Sequence, residues 1–246
     1  MEEKKIRKIA AIADIHVKDS DKGKWISLFQ EASLQADVLC ICGDLTDTGD
    51  ESEAQVLAEE LQACTIPVLG VLGNHDHEKG RHKLIRSILQ KAGVHMLDGE
   101  AIVIGGIGFA GIKGYGGGFD KYMMSMFGEG ANKAFVQEAV DEALQLDRAL
   151  ARIDQDYPEI EKKVVLLHYA PIKETIEGEP EQIFPFLGCS RLAEPLSRRN
   201  VYAAFHGHAH VGKLSGEAPN GVKIFNVSKP VIAHSNYEHP FFILEV

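Results

Sequence analysis

Short apolar runs, each stopped by a polar cluster, constrain this chain more than any other feature. They occupy residues 9–13, 38–42, 67–72, 164–167 and 201–205. Runs of four to six residues without polar alternation are the pattern of strands covered on both faces. Helical periodicity falls between the first three, at residues 25–34 and 53–61, and a third helix is expected over 81–92. The N-terminal half is therefore expected to form successive βαβ units that feed a sheet from one side.

The rest of the chain is less uniform. Residues 101–112 are strand-rich, and the Gly- and Met-rich segment 114–130 fits neither period and is expected to be a loop or mobile lid. The clearest helix covers 132–154, where Val136, Ala139, Val140, Ala143, Leu146, Leu150 and Ile153 form a packing stripe. A long connection over 171–188 and a short helix over 191–199 follow. The tail, 222–227 and 241–246, is expected to form antiparallel strands.

With 246 residues, 45% of them hydrophobic, and no Pro/Ser-rich linker, the expectation is a single domain spanning 1–246. The net charge of −10 argues against nucleic-acid or anionic-membrane partners, because phosphates would be repelled unless bound cations reverse the field locally. The four cysteines show no paired spacing, residues 1–8 are charged, and Asp14 and His16 interrupt the first apolar run too early for a signal-peptide core. The longest uncharged apolar stretch, 101–112, is far too short to cross a bilayer. A cytoplasmic location is expected.

The polar clusters carry the chemistry. They read Asp14-Ile15-His16, Gly43-Asp44, Gly73-Asn74-His75-Asp76, His168 and Gly207-His208-Ala209-His210. Carboxylate, amide and imidazole side chains are the donor set of a borderline divalent or trivalent metal. Loops at the carboxyl ends of strands converge, so residues nearly 200 positions apart can share one site. Seven ligand candidates among these clusters are too many for one tetrahedral ion. Two ions sharing one carboxylate need about that many, with water completing each shell.

The ordered set DxH, GD, GNHD, a lone His after an apolar strand, and GHxH resembles the calcineurin-like metallophosphoesterase family, from Asp14 to His210. The resemblance implies an α/β fold of four layers, α/β/β/α, in which a two-sheet β-sandwich is flanked by helices. It also implies metal-dependent hydrolysis of a phosphate ester by a metal-bridging hydroxide. Asp14, His16 and His210 would hold one ion, Asn74, His168 and His208 the other, and Asp44 would bridge them. The ions would be Mn, Fe, Zn or Ni. His75 would serve as general acid or electrostatic partner of the phosphate, with Asp76 orienting its ring.

The second cluster, Gly-Asp-Leu-Thr-Asp-Thr-Gly, lacks the Arg carried there by the Ser/Thr protein phosphatases of that family. A small nucleotide-like phosphodiester or phosphomonoester is thus the expected substrate. A nuclease or protein phosphatase of the same fold, or a non-catalytic scaffold such as a retromer subunit, is the alternative. Selection is expected to rest with loops 114–130 and 171–188. His206 alternates to the side opposite a ligand pair and is expected to pack or support. His77, His82, His95, His234 and His239 are expected to be surface or structural, and Asn226 and Ser228 could approach the site. A literal GxGxxG at Gly106, Gly108 and Gly111 is not followed by a helix start, so tight turns between strands explain it better than dinucleotide binding.

Overall fold

The computed structural model describes residues 5–235 and 237–246. The first sheet contains β1 (Lys8–Ile12), β2 (Val38–Cys42), β3 (Val68–Val71) and β4 (Val94–Met96), all parallel. Helices α1 (Ile26–Gln35), α2 (Glu51–Glu60) and α3 (His82–Lys91) connect them in turn. The second sheet begins with the hairpin of β5 (Glu100–Ile104) and β6 (Ile107–Gly111). After α4 (Gly130–Asp156) it adds β7 (Lys163–Leu166), and after the short helices α5 (Phe184–Leu187) and α6 (Ala193–Arg198) it adds β8 (Ala203–His206). β9 (Ser215–Ala218) and β10 (Val222–Asn226) complete it. Past α7 (Lys229–His234), the last strand, β11 (Phe242–Glu245), returns to the first sheet beside β1. The sheet orders are β11-β1-β2-β3-β4 and β5-β6-β7-β8-β10-β9.

Strand alternation divides the core into three layers. Ile9, Ala11, Val38 and Cys40 of the first sheet meet Phe109, Val164, Leu166 and Phe205 of the second. Their neighbours Ala10, Ile12, Leu39 and Ile41 face α1, α2 and α3 through Phe29, Leu57 and Ile85. Val165, Leu167 and Ala204 face α4 and α6 through Leu146, Leu150 and Leu196. Every central strand is thus apolar on both faces, and that is why its run shows no alternation. Two mixed sheets flanked by helices result.

Some elements depart from their expected form. Each tail strand has the expected antiparallel neighbour, β9 for β10 and β1 for β11, but the two lie in different sheets and do not pair with each other, and β10 also pairs in parallel with β8. β9 carries no apolar pattern because its residues are largely exposed. Segment 114–130 divides in two. Residues 116–119 are buried, with Gly117 N–H donating to Pro185 O and Gly118 N–H to Gly188 O, whereas residues 125–130 are exposed. In the GxGxxG stretch, Gly105 and Gly106 form a two-residue hairpin turn at φ 54° and 84°, and Gly108 and Gly111 lie on β6.

Candidate metal centre

The clusters converge because the chain leaves β1, β2, β3, β7 and β8 at the same edge of the two packed sheets. Asp14, His16, Asp44 and His208 all adopt left-handed backbone, at φ 58°, 44°, 49° and 68°. Such a conformation is costly for residues with a Cβ and persists where surrounding contacts impose it, commonly at functional sites. The contacts are visible here. A Cβ on Gly73 would lie 2.2 Å from Asp44 Oδ1, and one on Gly207 would lie 2.4 Å from Asp14 Oδ2. Glycine at these positions lets the carboxylates sit against the next loop.

Two separate groups of donors form, linked by a third. In the first, ligand atoms of Asp14, His16 and His210 lie within 4.8 Å of one another; in the second, those of Asp44, His168 and His208 do; in the linking group, those of His16, Asp44 and His75 do. Asn74 joins the second group, its Oδ1 2.8 Å from His168 Nε2. Asp44 stands between them, with Oδ1 3.3 Å from His168 Nε2 and Oδ2 3.7 Å from His16 Nε2.

Backbone carbonyls decide which ring nitrogens are free. A carbonyl only accepts, so His168 Nδ1–H donates to Cys42 O at 3.1 Å and leaves Nε2 facing Asp44 and Asn74. His208 Nε2–H donates to Phe186 O at 3.1 Å and leaves Nδ1 as its lone-pair nitrogen. His75 Nδ1–H donates to Asp47 O at 2.6 Å, leaving Nε2 unprotonated when the ring is neutral and 3.9 Å from Asp44 Oδ2. Fixing one nitrogen of an imidazole in this way orients the other toward a metal or substrate.

Charge is concentrated and incompletely compensated. Burial raises Asp14 to about 6; the hydrogen bond from His210 opposes the rise and the Asp44 charge adds to it. Burial, then the neighbouring His168, lowers His208 to about 3, and burial likewise holds His168 well below the ordinary imidazole range. His75 moves up despite burial, because the Asp47 carbonyl and the charges of Asp44, Asp47 and Asp76 outweigh it. His16 Nδ1 is buried with no hydrogen-bond partner. Neutral imidazoles, crowded carboxylates and an orphaned ring nitrogen fit a pair of bound cations: each ion would satisfy lone pairs that this arrangement otherwise leaves opposed.

Asp76 does not contact the His75 ring as expected. It is fully buried and accepts from Leu45 N–H, Thr46 N–H, Thr46 Oγ1–H and Gly73 N–H at 2.6–3.2 Å. It ties the loop after β2 to the loop after β3, and the carbonyl of Asp47 takes over the task of holding His75. Ser228 Oγ–H and Asn226 Nδ2–H both donate to Ala209 O, so they fasten the GHxH loop from beneath. His206 is buried with Nε2 2.7 Å from Thr175 Oγ1, on the supporting side of the same loop. Glu179 accepts from the backbone N–H groups of His210 and Val211. Asp47, Phe186 and Glu179 had no assigned role in the sequence, since two act through carbonyls that every residue possesses.

A family model for calcineurin-like phosphoesterases matches residues 7–212. The chain belongs to that family. It is 36% identical over 83 residues to a protein of Moraxella catarrhalis (strain BBH18) named "Probable cyclic nucleotide phosphodiesterase", a match covering 30% of each chain. This chain thus matches less than a third of that relative's length. Among solved structures it is similar to phosphopantetheinyl hydrolase (PptH) of Mycobacterium tuberculosis, at TM-score 0.68, 14% identity and 96% and 95% coverage of the two chains. It is similar also to the protein TT1561 of Thermus thermophilus, at 0.61, 15%, 92% and 91%. GAP50, the anchor in the inner membrane complex of Plasmodium, matches at 0.57, 12%, 92% and 73%. At these identities the structures share the fold. Among the described residues, no helix is long and apolar enough to cross a membrane.

Proposed function

We propose that this calcineurin-like phosphoesterase hydrolyses a small nucleotide-like phosphodiester, using two metal ions. Asp14, His16 and His210 would hold one ion and Asn74, His168 and His208 the other, with Asp44 between them. The observation that carries this reading is the split of the Asp44 carboxylate, one oxygen toward His168 and the other toward His16. When bound, such an ion pair supplies an activated water and neutralises charge developing on the phosphoryl oxygens.

The residues of the chain divide the remaining work. His75 presents Nε2 to the cleft because Nδ1–H is engaged by Asp47 O, so a proton on Nε2 can pass to the leaving oxygen. Asp76 holds the loops bearing Asp44 and His75 in mutual register. Asn226, Ser228 and Glu179 hold the loop bearing His208 and His210. The cleft beside Asp14, His16, His75 and His210 has a volume of about 490 Å³, a size that suits a nucleotide-like ligand. The name carried by the Moraxella relative supports a diester over a monoester.

Reconstituting the protein with Mn, Fe, Zn or Ni and assaying bis(p-nitrophenyl) phosphate against p-nitrophenyl phosphate tests the proposal. The diester is expected to be the better substrate. Failure to turn over any ester at full metal content would leave the scaffold reading.

A further inference from the structure

The cleft that exposes Asp14, His16, His75 and His210 is also lined by Lys18, Lys24 and Lys229. Two of these lysines have carboxylate partners. Lys18 Nζ lies 3.6 Å from Asp47 Oδ2, and Lys24 Nζ lies 3.1 Å from Asp21 Oδ1. Among the described residues, Lys229 Nζ has no carboxylate within 4.0 Å. It stands 4.7 Å from the ring centroid of Trp25, and Lys24 Nζ stands 5.3 Å from the same centroid. The two lysines come from distant parts of the chain, one just before α1 and the other the first residue of α7, yet they share one indole ring.

Glu60 is engaged by the backbone N–H groups of Gly23 and Trp25, so among the described residues Asp21 is the one carboxylate ion-paired at these two ammonium groups, which place positive charge on a protein of net charge −10. The Trp25 ring steadies each cation but does not cancel either charge. Neither lysine belongs to the donor groups, where the charge of the reacting phosphate would be met by bound cations. Ile15, Pro230 and Ala233 line the same cleft and offer apolar contact to a carbon skeleton.

We propose that Lys229 and Lys24 form a second anion subsite at this cleft, and that the substrate is a phosphate ester carrying a second phosphate group. The lysines bind the phosphate that does not react, and so orient the one that does. This inference rests on the phosphoesterase reading of the same cleft. An ammonium is a point charge with three donors and serves a terminal phosphate well.

The test compares two synthetic esters on the metal-reconstituted protein: thymidine 5′-(p-nitrophenyl phosphate), and the same ester bearing a 3′-phosphate. The wild type is expected to show a KM for the second ester about tenfold or more below that for the first, the scale of one charge-assisted hydrogen bond. Lys229→Gln should erase the difference by raising the KM of the bisphosphate ester, and Lys229→Arg should restore it. Equal KM values in the wild type, or equal proportional losses on both esters in Lys229→Gln, would overturn the proposal and leave Lys229 a packing residue on Trp25. Should neither ester turn over, the phosphoesterase reading fails on its own. Equilibrium dialysis of inorganic pyrophosphate against metal-free wild type and Lys229→Gln then decides the subsite: weaker binding by the variant supports it, and equal binding overturns it.

Discussion

The two donor groups are built differently although both lie against Asp44. In the inner group the His168 side chain has no solvent exposure, and the rings of His168 and His208 are each held by a backbone carbonyl. In the outer group the His210 side chain is 44% exposed, its Nε2 lies 3.3 Å from Asp14 Oδ1, and His16 Nδ1 has no hydrogen-bond partner among the described residues. The inner group is set by the packed ends of the strands, the outer by the cleft wall. An ion in the inner group is therefore expected to act as a structural anchor, and one in the outer group to exchange and to meet the substrate.

Asp44→Asn should have the largest effect, because Asp44 belongs to the inner group and its other oxygen faces His16 of the outer one. Turnover should fall by about 10⁴-fold or more, as when one member of a cooperative catalytic unit is removed, and elemental analysis should show both ions depleted. Depletion of one ion only would break the symmetry assigned to Asp44.

His75→Gln should come next. Loss of a positioned acid costs roughly 10²- to 10⁴-fold on an alkyl ester and less on a nitrophenyl ester, whose leaving group needs little protonation. Both ions should remain, since the groups of Asp14, His16 and His210 and of Asp44, His168 and His208 are complete without His75. Equal losses on the two esters, or loss of a metal ion, would show that its role is different.

Graded chelation sharpens the contrast between the groups. Metal content measured against chelator concentration should fall from two ions per chain to one and then to none, with activity lost in the first step. Simultaneous loss of both ions would mean that the difference in burial has no consequence for affinity. Gly207→Ala should weaken the first-released ion in particular, because its Cβ would press on Asp14 Oδ2.

The smallest effect lies outside both groups. His77 stacks on His82 with ring centroids 4.2 Å apart, and burial, followed by the charges of His82 and Lys113, lowers its pKa to about 4. The unfolded chain takes up this proton near pH 6.5 and the folded one only near pH 4, so stability falls as pH drops through that window. After solvent screening the loss amounts to about 1–2 kcal/mol. Urea titrations of metal-free protein at pH 7 and pH 4.5 should show a smaller difference in His77→Asn than in wild type.

Much of the fold was legible because the central strands are covered on both faces. Their runs at residues 9–13, 38–42 and 164–167 had to be apolar throughout, and the stripe on α4 had to repeat at 3.6 residues. β9 escaped notice because exposed residues such as Ser215 and Glu217 leave no pattern, and β4 because three residues are too few to show a period. In the site, the candidate donors were visible as residue types at the ends of apolar runs. The tie made by Asp76 was misassigned, since adjacency to His75 in sequence suggested a contact that the turn at His75–His77 does not make.

Side-chain chemistry and periodicity are properties of the sequence, and they determined by themselves the successive βαβ units of the first half, the candidate metal donors and the place of each at a strand end. Orientation is a property of contacts between distant segments. Tertiary structure alone decided that Asp44 divides its oxygens between two groups, that carbonyls of Cys42, Phe186 and Asp47 select the free nitrogen of three histidines, and that Lys24 and Lys229 meet over one indole ring. Backbone carbonyls leave no mark in a sequence, and a lysine far along the chain declares its neighbours only once the strands beneath it have packed.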